Sequence, residues 1–162
     1  MSDIKETVEV DAPYSTVLDS LERRFRTQGH RLQLLVPLRD LGLPIPLGLE
    51  QQVDVEFDSR KGLKGQAQLY DEIDLSWKPT GGGIYPHFNG GFALRPLGLH
   101  TEVTLQGSYD PPLGIVGDAF DALVGRKIAQ ATVRALVEDV KKWLETDFQT
   151  VRETIEERPK RE

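Results

Sequence analysis

A strand that leads directly into a long helix fills residues 101–148, and this stretch constrains the fold more than any other. Two sets of residues alternate along the strand: Val103, Leu105, Gly107 and Tyr109 against Glu102, Thr104, Gln106 and Ser108. A period of two is typical of a half-buried strand. Pro111 and Pro112 end the strand, because proline has no N–H to donate to a ladder. A long amphipathic helix after a series of strands predicts a sheet wrapped around one helix.

The helix is apolar on one side along its whole length and on a second side in its first half. The continuous stripe consists of Ile115, Ala119, Ala122, Ala129, Val133, Leu136, Val137, Val140 and Leu144. The second, bulkier stripe consists of Phe120, Leu123, Val124, Ile128 and Ala131. Two interpretations fit this pattern. The bulky side faces loops, a shorter helix or an internal cavity, or Gly125 kinks the helix and the stripe changes phase there.

Composition excludes several functional classes. The formal net charge of −6 and the pI near 5.2 argue against phosphate contacts with nucleic acid. The absence of cysteine excludes disulfides, thiolate zinc sites and cysteine nucleophiles. The N-terminus is polar, and no run reaches the ~20 apolar residues of a membrane span. We therefore expect a cytoplasmic protein without an integral membrane segment.

The remaining chain reads as one domain over 1–148 and a charged tail over 149–162, which is either the end of the helix or frayed. Strands are predicted over 4–10, 32–38, 51–58, 66–78 (one or two) and 84–95, and a helix over 13–26. In the 84–95 strand, Gly90 and Gly91 suggest a bulge or tight bend. Glu6 falls on the apolar side of the first strand, either at a frayed start or at a cavity mouth.

The segment 37–49 combines prolines and glycines with apolar residues, so neither a regular helix nor a central strand suits it. It is either a lid over an apolar cavity or a loop packed into the open end of the sheet.

The predicted ligand-binding residues face inward from the strands or come from the second helical stripe. They are Val55, Phe57, Leu75, Trp77, Phe88, Phe92, Tyr109, Phe120, Val124 and Ile128. Core packing alone would also explain Trp77, Phe88 and Tyr109. The three histidines lie too far apart in sequence for a metal motif, and simple alternation puts His87 on the surface unless a bulge shifts it. No catalytic residue, metal or cofactor is predicted.

Three stretches resemble one known superfamily. They are VEVDAPYSTVLDSL, LSWKPT followed by IYPHFNGGFALRPLG, and TEVTLQGSYDPPLGIVGDAFDALVGRKIAQATV. Together with the element order, they resemble the START-like or SRPBCC superfamily, and the third resembles its polyketide cyclase-related bacterial branch. The resemblance implies an α+β helix-grip fold, a curved antiparallel sheet around a long C-terminal helix with a cavity between them. It implies no fixed catalytic motif.

The function predicted from these features is binding of an apolar small molecule or lipid in that cavity, with no protein partner identified. Two alternatives stay open. One is a cyclase- or aromatase-like enzyme that acts on a hydrophobic substrate, and the other is an interaction module with a filled core.

Overall fold

The computed structural model describes residues 2–27, 31–36, 51–58, 72–79, 87–110 and 122–156, with side chains over 3–24, 76, 87–109, 126–127 and 129–156. The elements are β1 (Ser2–Val10), α1 (Tyr14–Thr27), β2 (Arg31–Val36), β3 (Gln51–Asp58), β4 (Glu72–Pro79), β5 (His87–Leu97), β6 (His100–Asp110) and α2 (Ala122–Glu156). All strand pairs are antiparallel, in the order β1-β6-β5-β4-β3-β2. This sheet with its long C-terminal helix is the helix-grip arrangement that the sequence predicted.

Local sequence signals explain where most elements begin and end. Helix α1 begins at Tyr14, directly after Pro13, and the Pro13 carbonyl accepts the N–H of Val17 at 3.0 Å as the first bond of the helix. Strand β3 has the bounds that its alternation predicts. The apolar segment 37–49 lies outside the described residues, as do 66–71 and the predicted first turns of the last helix.

Of the bulge or tight bend predicted at Gly90 and Gly91, the bulge is wrong. Both residues pair in continuous register, with Gly107 and Gln106 on β6 and with Leu75 and Asp74 on β4. The strand therefore keeps its alternation, and His87 is exposed as simple alternation predicts. Position 90 requires glycine because β5 and β6 approach each other closely there, and not because the strand holds the extra residue of a bulge.

The core lies between the sheet and the middle of α2. The continuous helical stripe is buried from Ala129 onward, through Val133, Leu136, Val137, Val140 and Leu144. These side chains pack with Val17 and Leu21 of α1 and with Leu94, Val103 and Leu105 of the sheet. Burial of such side chains stabilises a fold by roughly 1.5–3 kcal/mol each before the entropy of ordering is subtracted.

Polar contacts attach the β1–α1 junction to α2. The Asp11 N–H donates to Glu145 Oε1 at 2.9 Å, and Lys141 Nζ donates to the Glu9 carbonyl at 2.5 Å. Further along, Ser20 Oγ donates to Asp147 Oδ2 at 2.6 Å. Beyond this junction α2 continues to Glu156, with residues 149–156 exposed. Neither of the helices in the described part of the chain is long and apolar enough to cross a membrane.

Candidate functional site

The backbone of helix α2 lies closest to the two edges of the sheet. It contacts β1, at one edge, together with the neighbouring β6, and it contacts β2 at the other edge. Within the described residues, α2 makes no contact of comparable extent with β3, β4 or β5. The sheet therefore curves around the helix, and the backbones of its central strands lie farther from it, although Leu94 of β5 belongs to the same core cluster as the buried residues of α2. A cavity between the two layers would lie at these central strands.

The polar contacts also give the direction of α2 along β1. Glu6 lies beside Arg134, Glu9 beside Lys141, and Asp11 beside Glu145. The helix thus runs in the same direction as β1, and its first turns lie toward the end of the sheet where β1 begins. Helix α1 contacts β5, β6 and α2 and covers the opposite end. The end near the start of α2 is the one opposite α1.

The strand register brings the sequence-predicted residues together at this end. One row across four strands pairs Val55 with Trp77, Trp77 with Phe88, and Phe88 with Tyr109. The next row pairs Phe57 with Leu75 and Leu75 with Gly90. Residues directly opposite each other in an antiparallel sheet are neighbours on one face.

The structure describes the side chains of three of the ten predicted ligand-binding residues. Phe88, Phe92 and Tyr109 are buried on the helix-facing side of β5 and β6. The side chains of Val55, Phe57, Leu75, Trp77, Val124 and Ile128 lie outside the described side chains, and Phe120 lies outside the described residues altogether. A ligand-binding role for these ten residues stays a prediction.

A pair of facing glycines separates the aromatic row from the rest of the core. Gly90 lies opposite Gly107, and a β-carbon on Gly107 would come within 2.6 Å of the Gly90 Cα and 2.7 Å of Phe88 Cζ. A β-carbon on Gly90 would collide with the Gln106 carbonyl oxygen. The two strands approach so closely that neither position has room for a side chain, and the Phe88 ring lies over Gly107. We call this pair the glycine crease.

Glu6 contacts helix α2, which its position in the sequence does not predict. Strand β1 begins at Ser2, so Glu6 lies well inside it rather than at a frayed start. Its Oε1 lies 3.3 Å from Arg134 Nη2 and 3.4 Å from Gln130 Nε2, both on α2. An inward-pointing charge on an edge strand discourages pairing with other strands. Gln130 and Arg134 are four residues apart on one helix face, which was the available signal for a shared partner.

Among the described residues, the carboxyl whose pKa is clearly shifted, that of Glu145, lies away from this end. Burial of Glu145 raises its pKa, but the Asp11 N–H and the Lys141 ammonium stabilise the carboxylate, and the net pKa is lowered. His100 Nδ1 lies 3.3 Å from Asp11 Oδ1, also at the far end. Among the described residues, no cluster of histidine and carboxylate side chains is arranged to hold a metal ion.

Comparison with known proteins gives likenesses to solved structures only. No protein-family model matches the chain, and no curated protein matches it in sequence. The protein TTHA0849 from Thermus thermophilus is 19% identical with a TM-score of 0.48, over 88% of this chain and 97% of that one. A START superfamily protein from Mycobacterium smegmatis is 16% identical with a TM-score of 0.46, over 87% and 98% of the two chains.

The Zhui aromatase/cyclase from Streptomyces sp. R1128 is 17% identical with a TM-score of 0.44, over 89% of this chain and 93% of that one. The element order and strand pairing of the chain itself, rather than these likenesses, identify the helix-grip fold. This is the fold that the sequence resemblance implied.

Proposed function

We propose that the protein binds an apolar small molecule, with lipids as the favoured class, between the central strands and the first turns of α2. The observation that supports this most directly is that the backbone of α2 approaches both edge strands more closely than it approaches the described central strands. A helix packed uniformly on the sheet would leave no room between the layers.

The chemistry of the surrounding residues favours an apolar ligand. Phe88 and Tyr109 form one buried cross-strand pair, and Phe92 lies four residues further along β5. Ligand sites of this kind are concave and mostly apolar, with few polar groups that fix orientation. Tyr109 supplies a phenol that can donate or accept one hydrogen bond, which suits a fatty acid or a similar molecule with one polar end.

Uptake of a dansyl-labelled fatty acid tests the proposal. We expect saturable fluorescence enhancement with one molecule bound per chain. Val124→Trp adds a large ring within the proposed site and should weaken binding at least ~10-fold, because overpacking displaces the ligand. Lys127→Trp is the matched control, since this exposed residue lies less than one turn away on α2. It should leave binding unchanged.

Two results would count against this site. Uptake that survives both Val124→Trp and Phe120→Trp places the ligand elsewhere. A protein that native mass spectrometry finds empty after purification, and that takes up no probe, supports the interaction-module alternative. A retained apolar molecule, identified after denaturing extraction, would define the ligand class.

Cytoplasmic location and the enzyme alternative stay predictions.

A further inference from the structure

A groove lies on the face of the sheet that points away from α2. It has a volume of about 670 Å³, and its described lining comes from β1, β5 and β6. Its lining alternates with the buried core positions: Asp3, Lys5, Asn89, Gly91, Gln106 and Ser108 belong to the outer face. Ile4 and Phe92 also line it, although their side chains are buried on the helix side, so their backbone forms the floor.

The groove has space at position 91 because glycine has no side chain. Gly91 alternates with Asn89 and Ala93, so a side chain there would project into the groove. Among the described glycines only Gly98 has a positive φ, so the backbone at Gly91 does not require glycine. The glycine crease lies directly beneath and adds backbone rather than side chains to the floor.

The polar side chains around the groove differ from their neighbours on the same face in having no partner among the described residues. Thr7 and Thr104 hydrogen-bond to each other at 3.0 Å, and Arg95 pairs with Glu102 at 2.7 Å. Within the described part of the chain, the polar groups of the groove make no hydrogen bond or ion pair; they are Asp3, Lys5, Asn89, Gln106 and Ser108. Side-chain donors and acceptors without a partner among the described residues therefore line this groove.

We propose that this groove binds a neutral polyhydroxylated molecule of mono- or disaccharide size. Two carboxamides and a hydroxyl both donate and accept, as sugar hydroxyls do. Asp3 and Lys5 sum to no net charge, which disfavours a phosphate or another anion. The volume lies within the range of small-molecule sites, about 300–1,000 Å³. Because the groups are exposed and each hydrogen bond gains little over water, the dissociation constant should be on the order of 1 mM.

Amide NMR titrations of the labelled protein with glucose, maltose and glycerol, each to about 50 mM, test this proposal. We expect saturable shifts with glucose or maltose at the amides of Asn89, Gly91 and Gln106. Gly91→Val fills the groove with a residue that strands favour and should abolish the shifts. Asn89→Ala, at an exposed position, should weaken binding about 5-fold, the equivalent of ~1 kcal/mol for one hydrogen bond.

Thr7→Val is the matched control, because it lies on the same face outside the groove, and it should leave the shifts unchanged. The proposal is overturned if neither sugar gives saturable shifts, or if the shifts persist in folded Gly91→Val. If Gly91→Val does not fold, unchanged binding by Asn89→Ala overturns it instead. The dansyl-labelled fatty acid should bind with or without sugar. A negative result for the groove is therefore distinguishable from a negative result for the proposed apolar site.

Discussion

Substitution of Gly107 by alanine tests whether the glycine crease holds the sheet in its curved form. The new methyl carbon would lie 2.6 Å from the Gly90 Cα and 2.7 Å from Phe88 Cζ, whereas carbon atoms pack at about 3.5–4.0 Å. The strands must therefore separate by about 1 Å. Neither neighbour relaxes easily, because one is backbone and the other is a buried ring.

The magnitude follows from three contributions. Overpacking costs about 1–3 kcal/mol, and one or two stretched ladder hydrogen bonds cost about 1 kcal/mol each. Reduced entropy of the unfolded chain offsets about 0.4–1 kcal/mol. We expect Gly107→Ala to lower the free energy of unfolding by about 2–4 kcal/mol, a large share of the ~5–15 kcal/mol of a typical domain.

Urea unfolding followed by circular dichroism measures this loss. Gly98→Ala is the contrasting variant, because Gly98 has a φ of 63° and no atom within 4 Å of a β-carbon there. Its cost should come from backbone conformation alone, about 1–2 kcal/mol. Phe88→Leu in the Gly107→Ala background should recover part of the loss, as expected for residues in contact. A change below ~0.5 kcal/mol for Gly107→Ala would refute the crease as a steric constraint.

Two further predictions concern the junction of α2 with the β1–α1 region. Glu145→Gln should lower stability above pH 4.5, the ordinary pKa of this carboxyl, because the lowered folded-state pKa reflects bonds from Asp11 and Lys141. The difference from wild type should disappear in urea titrations as pH falls through that lower pKa, and a pH-independent difference would contradict it. Asp147→Ala leaves the buried Ser20 hydroxyl without its 2.6 Å partner, so thermal unfolding should report a loss of about 1–3 kcal/mol that Ser20→Ala partly restores.

Local periodicity was sufficient to predict most of the elements and the buried faces of β5 and β6. The alternation over 51–58 matches β3, and the helical stripe from Ala129 to Leu144 is buried. Phe88, Phe92 and Tyr109 were predicted to point inward for the same reason. Period-two and period-3.6 patterns record which side of an element faces the core, and this is a local property.

Features that depend on distant partners could not be predicted in the same way. Glu6 was assigned to a frayed end or a cavity mouth, because its partner Arg134 is 128 residues away. Gly90 suggested a bulge, because the sequence does not show that Gly107 lies opposite. Strand register is set by tertiary pairing, so the crease and the outer groove emerge only when β5 and β6 are aligned.

The placement of β1 has a consequence for synthesis on the ribosome. Its described strand partner is β6 alone, and the Thr7–Thr104 pair spans 97 residues. The β1 segment therefore stays unpaired, with the side chains of Ile4, Val8 and Val10 exposed, until β6 has been translated. We expect the charge of Glu6 among these apolar residues to reduce aggregation of nascent chains during that interval. Glu6, whose ion pair with the exposed Arg134 contributes little to the finished fold, would then act chiefly before that pair forms.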